Sequence, residues 1–384
     1  MTQDTLTRRK NANGRCYAQA KPPSSKKKEP IPMGTRLAAV DLGSNSFRLE
    51  IGRVEHGAFQ RTEYLKETVR QGGGLDEDRN LTPAAMQNGW DCLARFGERL
   101  AGFQPGEVRA VATQTLREAR NRDAFLQRAN AILGFPINVI SGREEARLIY
   151  QGVAQMLPQS DERRVVIDIG GRSTELILGK GPHPVVMESF RVGSIAWSTR
   201  YFADGLFTKK SFAIAEIAAK AVLDEALDAY HPSLWDTAYG SAGTVSAIAD
   251  VLVACGWPAG NVTQDGLDWL MDKLIAAQSV DRLKLPGMRE DRKAIIGGGV
   301  SIVRALFSLL GIKTLHQATG GLRHGLICDL LGSSTHDDDL QAKTVQRLAT
   351  KFAVDATHGT RVGNVAAQLF SQLTGGPGVV ASGH

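Results

Sequence analysis

The strongest constraint on the fold of this 384-residue chain is a turn that occurs twice. In the first copy, AAVDLGSNSF, an apolar run ends at Asp41 and continues into small polar residues. In the second copy, VVIDIGGRSTELI, an equivalent run ends at Asp168. Each copy has the pattern of a strand, a tight turn and a second strand. The repeat therefore predicts two similar halves, with one hairpin of this kind in each half.

Apolar strand-like runs alternate with helical periodicity around the two hairpins. The segment TPAAMQNGWDCLARFGERLAGF has Thr82 as a helix cap, Pro83 at the first helical position and apolar residues at helical spacing. The runs EVRAVAT and FPINVIS are predicted strands on either side of a helix, and the helix GREEARLIYQGVAQML follows them. Further helical segments lie near residues 211–230 and 264–278. This alternation predicts an α/β fold with two sheets.

Both turns consist of residue types that suit a phosphate chain. Glycine lets backbone N–H groups approach an anion closely, and Ser and Thr hydroxyls add donors. A third small-residue loop, GSAGT, precedes a helix whose N-terminus favours an anion. Each loop alone also fits an ordinary tight turn, and the order of the three makes the pattern specific. The predicted phosphate-binding residues in these loops are Gly43, Ser44, Asn45, Ser46, Gly170, Gly171, Arg172, Ser173, Thr174, Ser241, Gly243 and Thr244.

The two aspartates that end the apolar runs are predicted to bind a metal rather than phosphate. A carboxylate repels phosphate, so Asp41 and Asp168 are poor phosphate ligands. They suit Mg²⁺ (or Mn²⁺) instead, because this hard cation bridges carboxylates and phosphates and keeps several of its waters. The sequence therefore predicts a divalent metal held by Asp41 and Asp168, directly or through water.

The positive charge of the chain is concentrated at its N-terminus. The net charge is +6, and residues 1–35 hold eight basic and two acidic residues, so the remaining chain is neutral. This segment is polar, interrupted by proline and without periodicity, which predicts a disordered tail. It is either a solvated extension or a weak attractor of polyanions, and Met33 is an alternative start. No specific nucleic-acid binding is predicted.

Other classes of protein are disfavoured by what the sequence lacks. No stretch of 18 or more uncharged apolar residues exists, which argues against a membrane span, and the N-terminus has no apolar core of a secretory signal. The four cysteines, Cys16, Cys92, Cys255 and Cys328, are far apart and form no metal-ligand pattern. We expect a cytoplasmic protein. A homodimer is compatible with the sequence, although no feature specifies the oligomeric state.

Several motifs together resemble the exopolyphosphatase and guanosine pentaphosphate phosphohydrolase (Ppx/GppA) family, a branch of the actin-like ATPase superfamily. The matching stretches run from about Arg36 to Leu331 and include AAVDLGSNSFRLEI, VATQTLREARNRDAF, VISGREEARLIYQGV, VVIDIGGRSTELILG, GSAGTVSA and GGLRHGLICDLL. The resemblance implies two actin-like (ribonuclease H-like) domains, at residues 36–158 and 159–335, with the active site in the cleft between them. Residues 1–35 would be the basic tail, and residues 336–384 a shortened helical segment and tail.

The resemblance also implies a catalytic glutamate. The glutamate that the family needs to activate water matches Glu145 in SGREEARL, and Glu144 stands beside it. Apart from the resemblance, Arg117 in TLREARN follows a polar turn and could contact phosphate or pair with an acid. Where the family usually has glycine, this chain has Arg172, which puts close backbone approach to phosphate at the second hairpin in doubt. We hypothesise that the Arg172 guanidinium contacts phosphate instead, the alternative being a solvent-facing or acid-paired side chain.

The implied activity is Mg²⁺-dependent hydrolysis of a terminal phosphoanhydride with release of orthophosphate. The leading hypothesis from the sequence is an exopolyphosphatase acting on inorganic polyphosphate. The alternative is a guanosine pentaphosphate (pppGpp) 5′-phosphohydrolase, which shares every motif named above. Two hypotheses of other classes stay open, namely an ATP-dependent kinase or assembly protein of the superfamily and a non-catalytic regulator that binds polyphosphate or nucleotide.

Overall fold

The computed structural model describes residues 32–55, 58–158, 160–332 and 356–373 of the chain. The prediction of a disordered tail falls almost wholly on residues outside these ranges, as does most of the predicted C-terminal segment. Two mixed β-sheets with helices around them make up the described part, which confirms the predicted α/β class. The domain boundaries at residues 158 and 335 stay predictions.

The first sheet contains the first predicted hairpin. Its five strands are β1 (Arg36–Leu42), β2 (Phe47–Glu55), β3 (Ala58–Glu67), β4 (Val108–Ala112) and β5 (Ile137–Val139). They lie in the order β3, β2, β1, β4, β5, with the first three antiparallel and β4 and β5 parallel to β1. The associated helices are α1 (Pro83–Arg99), α2 (Gln114–Glu118) and α3 (Arg122–Leu133).

The second sheet repeats this arrangement around the second hairpin. Its strands are β6 (Arg163–Ile169), β7 (Thr174–Lys180), β8 (His183–Phe190), β9 (Thr237–Ser241), β10 (Asn261–Thr263) and β11 (Thr314–Gln317), in the order β10, β11, β9, β6, β7, β8. β6 pairs antiparallel with β7 and parallel with β9, as β1 does with β2 and β4. The predicted internal repeat is therefore a repeat of structure, and Asp41 and Asp168 stand at equivalent places in it.

The remaining helices follow in chain order. They are α4 (Gly142–Met156), α5 (Ser194–Tyr201), α6 (Lys209–Leu223), α7 (Ala242–Ala254), α8 (Gln264–Ala277), α9 (Glu290–Lys293), α10 (Ile296–Leu310), α11 (Leu322–Leu330) and α12 (Ala356–Leu373). Helix α1 begins as predicted, because the Thr82 side chain accepts a hydrogen bond from the Ala85 N–H and Pro83 occupies the first turn. Among the described residues, no helix has the length and apolar character that a membrane crossing requires.

Each sheet has its own apolar core. In the first, Phe47 of β2 is buried with Phe96 of α1 and Phe125 of α3. In the second, Val165 of β6 is buried with Trp197 of α5 and with many side chains of α6, α7 and α10. Burying a large apolar side chain contributes about 1.5–3 kcal/mol, so each sheet has a stabilising core of its own.

Helices α4 and α11 cross at glycines. Helix α4 follows the last strand of the first sheet, yet its buried face packs against β7, β8 and α11. A Cβ added to Gly325 of α11 would overlap the carbonyl oxygen of Leu148, and one added to Gly152 of α4 would overlap that of Gly321. Only glycine permits so close an approach of the two backbones.

We therefore expect Gly325→Ala to destabilise the protein by about 1–3 kcal/mol or more, because the backbone of Leu148 cannot move aside as a flexible side chain could. The measurement is the midpoint of urea unfolding. Gly106→Ala is the matched control, since a Cβ there meets open space. A midpoint for Gly325→Ala equal to that of Gly106→Ala would contradict the close crossing.

Candidate active site

The two repeated turns face one cavity between the sheets, with a volume of about 410 Å³. A Cβ added to Gly171 of the second turn would lie 3.1 Å from Cβ of Ser44 in the first, so glycine allows the turns to meet. Most of the residues predicted from sequence line this cavity. They are Asp41, Gly43, Ser44, Asn45, Ser46, Glu145, Asp168, Gly170, Gly171, Ser173, Ser241, Gly243 and Thr244.

The first turn presents unused backbone donors. In the part of the chain that the structure describes, the N–H groups of Gly43, Ser44 and Asn45 donate no hydrogen bond. Two hydrogen bonds to Ser44 hold the turn in place. The Ser44 hydroxyl accepts one from Thr115 Oγ1 at 2.8 Å, and the Ser44 carbonyl accepts one from the Gly72 N–H. A fixed turn with free N–H groups is suited to bind an anion.

The second turn is fastened to helix α5. The carbonyls of Gly170 and Gly171 accept hydrogen bonds from the N–H groups of Ser194 and Ile195, each at 2.9 Å. Thr174 is directed away from the cavity and donates to the Val192 carbonyl at 2.6 Å. Of this turn, only Gly170, Gly171 and Ser173 line the cavity.

In the third loop, Ser241 is the N-cap of helix α7 and Gly243 lies in the first turn of the helix, where a guanidinium approaches. A Cβ on Gly243 would overlap Nη2 of Arg292. The hydroxyls of Ser241 and Thr244 have structural partners, the carbonyls of Gly320 and Ile169, at 3.0 and 2.8 Å. The predicted donors of this loop are therefore partly occupied within the protein.

Four carboxyl groups gather beside the turns. Asp41 is 2% exposed, and its Oδ2 accepts a hydrogen bond from Arg48 at 3.0 Å. Burial raises the pKa of Asp168 to about 6, although the nearby Ser241 hydroxyl and the charge of Arg48 oppose the shift. Glu175 lies behind them, and burial together with Glu145 and Asp168 raises its pKa well above the ordinary value. This density of negative charge is unusual for a structural core.

Glu145 is the best-placed base in this group. It lies in the first turn of α4, where Ser141 caps the helix by accepting a hydrogen bond from the Glu144 N–H. Its Oε2 accepts a hydrogen bond from Arg117 at 2.7 Å, whereas Oε1 has no partner among the described residues. Burial raises the pKa of Glu145 to about 7, and Arg117 opposes the rise. Arg117 itself is outside the cavity lining, so its contact is to the acid.

The oxygen atoms present fit a hard divalent cation. Asp41 Oδ1 is buried without a hydrogen-bond partner, and the Asp168 carboxylate lines the same cavity. No set of three or more His, Cys, Asp or Glu side chains within the described ranges is arranged to hold a metal. Mg²⁺ commonly uses one or two carboxylates and completes its shell with water and phosphate oxygens, which is the set that this cavity offers.

Sequence reasoning missed a basic rim on the same cavity. Its members are Arg48, Lys66, Arg289, Arg292 and Arg323, and His324 lies beside them. Burial and the nearby Arg292, Arg48 and Arg289 lower the pKa of Lys66 to about 8, and Lys66 has no ion pair within the described ranges. The rim combines β2, β3, the segment around α9, and α11, so no local spacing signals it.

Arg172 is placed differently from the hypothesis. Nε and Nη2 of its guanidinium contact Glu118 Oε2 at 2.9 and 2.7 Å, and Nη1 donates to the Gly72 carbonyl at 2.8 Å. Arg172 does not line the cavity. Its φ is not positive, so a side chain at this position brings no backbone strain. The glycine that the family pattern favours is therefore not required by the backbone here.

Comparisons with known proteins agree with this geometry. The family model described as the Ppx/GppA phosphatase family matches residues 51–334. Proteins named guanosine-5′-triphosphate,3′-diphosphate pyrophosphatase from Aeromonas hydrophila and Vibrio vulnificus are each 39% identical over 336 residues, which is 88% of this chain and 67% of theirs.

Solved structures share the fold. An exopolyphosphatase from Cytophaga hutchinsonii aligns with a TM-score of 0.69 and 23% identity, over 77% of this chain and 98% of its own. The Aquifex aeolicus Ppx/GppA family member aligns with a TM-score of 0.65 and 23% identity, over 80% and 100% of the two chains. These matches confirm the expected two-domain, actin-like architecture. The family model and the 39% identity together show that the chain belongs to the Ppx/GppA phosphatase family of phosphoanhydride hydrolases.

Proposed function

We propose that this protein hydrolyses the terminal 5′-phosphoanhydride of guanosine pentaphosphate and releases orthophosphate. The observation that carries the proposal is the identity of 39% over 88% of the chain with proteins named for that nucleotide. It favours what the sequence alone left as the alternative to an exopolyphosphatase.

The charge distribution of the cavity supports such a substrate. Guanosine pentaphosphate has a triphosphate and a diphosphate on one ribose, so it needs two anion-binding regions. The free N–H groups of the first turn form one region next to the carboxylates. The rim around Lys66 and Arg292 forms a second anion-binding region. Its charged donors would bind phosphate strongly, because charge-assisted hydrogen bonds are stronger than neutral ones.

The carboxylates suggest how the reaction proceeds. Glu145 orients a water through Oε1 and accepts its proton as the water oxygen bonds to the terminal phosphorus and the bridging P–O bond breaks. Asp41 and Asp168 would hold Mg²⁺, which supplies positive charge to the phosphate oxygens. The N–H groups of the first turn hold the terminal phosphate in place.

Inorganic polyphosphate is the second candidate substrate. The basic rim contains four arginines and a lysine, and Tyr64 is the one Phe, Tyr or Trp side chain among the cavity-lining residues that the structure describes. A polyanion without a base would match such a surface. Two further alternatives are a kinase and a regulator that binds without turnover. The phosphate-release assay described next distinguishes both from a hydrolase.

Phosphate release from guanosine pentaphosphate, polyphosphate and ATP, measured side by side, tests the proposal. We expect the highest kcat/KM with guanosine pentaphosphate. A higher value with polyphosphate would overturn the proposal in favour of the exopolyphosphatase, and one with ATP in favour of another superfamily activity. Release from none of them, with binding retained, would leave the regulator.

A second expectation concerns Glu145. A general base acts when deprotonated, and burial places its pKa at about 7, so kcat/KM should fall as the pH is lowered through about 7. Glu145→Gln should lower kcat by about 10²-fold or more and remove this dependence. Glu144→Gln is the matched control, because Glu144 pairs with Arg147 outside the cavity and should have a milder effect. A kcat for Glu145→Gln equal to that of the wild type would contradict the role of Glu145 as the general base.

A third expectation concerns the metal. EDTA should stop phosphate release, and Asp41→Asn and Asp168→Asn should each raise the Mg²⁺ concentration needed for half of the maximal rate. Asp250→Asn is the matched control, since this carboxylate also lines the cavity but is exposed. If Asp168→Asn has the Mg²⁺ dependence of the control, then Asp168 is a structural carboxylate.

A further inference from the structure

Arg172 joins the two halves of the molecule. Its hairpin belongs to the second sheet, whereas both of its partners follow strands of the first sheet. Glu118 ends helix α2, and Gly72 lies in the short 3₁₀-helix Gln71–Gly74. All three guanidinium nitrogens are used, two by Glu118 and one by the Gly72 carbonyl. This contact therefore ties the second turn to α2.

The contact continues as a chain of hydrogen bonds to the candidate base. Glu118 Oε1 accepts a hydrogen bond from Gln114 Nε2 at 2.5 Å. Gln114 Oε1 in turn accepts one from Arg117 Nε at 2.9 Å. Arg117 Nη1 then donates to Glu145 Oε2 at 2.7 Å. Four side chains thus connect the second turn to the carboxyl group of Glu145, which would activate water.

We propose that Arg172 is a positioning residue, which acts through Glu118 and Gln114 to hold Arg117 against Glu145. The inference rests on the proposed function, because it gives the role of base to Glu145. It assigns Arg172 no contact with substrate.

The side-chain amide of Gln114 has only one orientation that fits this series of hydrogen bonds. Its amide oxygen faces a donor, Arg117, and its amide nitrogen faces an acceptor, Glu118. The flipped amide would place donor against donor and oxygen against carboxylate, so only one orientation satisfies both neighbours. The orientation of Gln114 therefore depends on where Glu118 is held.

Arg117 depends on this support. Its Nη2 is buried without a hydrogen-bond partner, so Gln114, the Ile140 carbonyl and Glu145 are what orient its guanidinium. When Arg172 is removed, Glu118 loses the cation that fixes Oε2 and can turn away from Gln114. Arg117 then loses one of its three anchors. Small displacements of groups in contact with a reacting centre have large effects on rate.

The test compares Arg172→Ala, Gln114→Ala and the double variant with the wild type. We expect each single variant to lower kcat by about 10-fold with KM changed less than about 2-fold. The double variant should be no slower than the slower single variant, because both substitutions cut the same chain. Arg163→Ala is the matched control, since Arg163 also pairs with a carboxylate, of Asp236, and a carbonyl, of Ser233, at the far end of β6.

Three kinetic outcomes would overturn the inference. A raised KM with a weaker dependence on salt in Arg172→Ala would show a direct phosphate contact instead. A kcat for Gln114→Ala equal to that of the wild type would show that the contact of Arg172 with Glu118 joins the two halves without positioning Arg117. Rates for Arg172→Ala equal to those of Arg163→Ala would show that Arg172 has no role in turnover.

A measurement without substrate separates this inference from the proposed function. In Arg172→Ala, amide hydrogen exchange within α2 should be faster than in the wild type, while exchange in strands β1 and β6 is unchanged and the variant remains folded. Unchanged exchange in α2 would overturn the inference even if the wild type hydrolyses guanosine pentaphosphate. If the wild type hydrolyses neither guanosine pentaphosphate nor polyphosphate, the proposed function fails. Faster exchange in α2 of Arg172→Ala would still support the link between Arg172 and Arg117.

Discussion

The repulsion among four buried carboxyl groups is the constraint on which the rest of the cavity depends. Burial raises the pKa values of Glu145, Asp168 and Glu175, and the neighbouring carboxyl groups raise them further. Desolvating charges of one sign is unfavourable unless opposite charges accompany them. Within the described ranges, Arg48 and Arg117 are the cations bonded directly to members of this group.

The basic rim therefore has two consequences. Its cations balance the carboxylates over a longer range, as the effect of Arg48 on the pKa of Asp168 indicates. They also repel one another. Burial lowers the pKa values of Lys66 and Arg292, and the charges of Arg48 and Arg289 lower both further. An anion between the carboxylates and the rim, accompanied by a divalent cation, would relieve both repulsions. Substrate and metal would thus complete the charge balance of the site.

The sequence predicted the parts of this arrangement that depend on local chemistry. The Asp41 and Asp168 turns, the Thr82 cap and the strand order inside each hairpin follow from residue type and spacing, and the structure confirms their placement. Arg48, Lys66, Arg292 and Arg323 could not be predicted, because they come together only when distant elements fold against one another. The partners of Arg172 were missed for the same reason. Glu118 is 54 positions away and Gly72 is 100.

The position of helix α4 links stability to chemistry. Its first residues carry Glu145, which faces Arg117 of the first half, while its body packs against β7 and β8 of the second sheet and against α11, which itself contacts β1 and β4 of the first sheet. The crossing at Gly152 and Gly325 leaves no room for the helix to shift along its partner. Helix α4 therefore connects the two sheets, and its first turn holds Glu145 against Arg117. The contact of Arg172 with Glu118 is a second connection between the two halves, so Glu145 is held both through α4 and through Arg117.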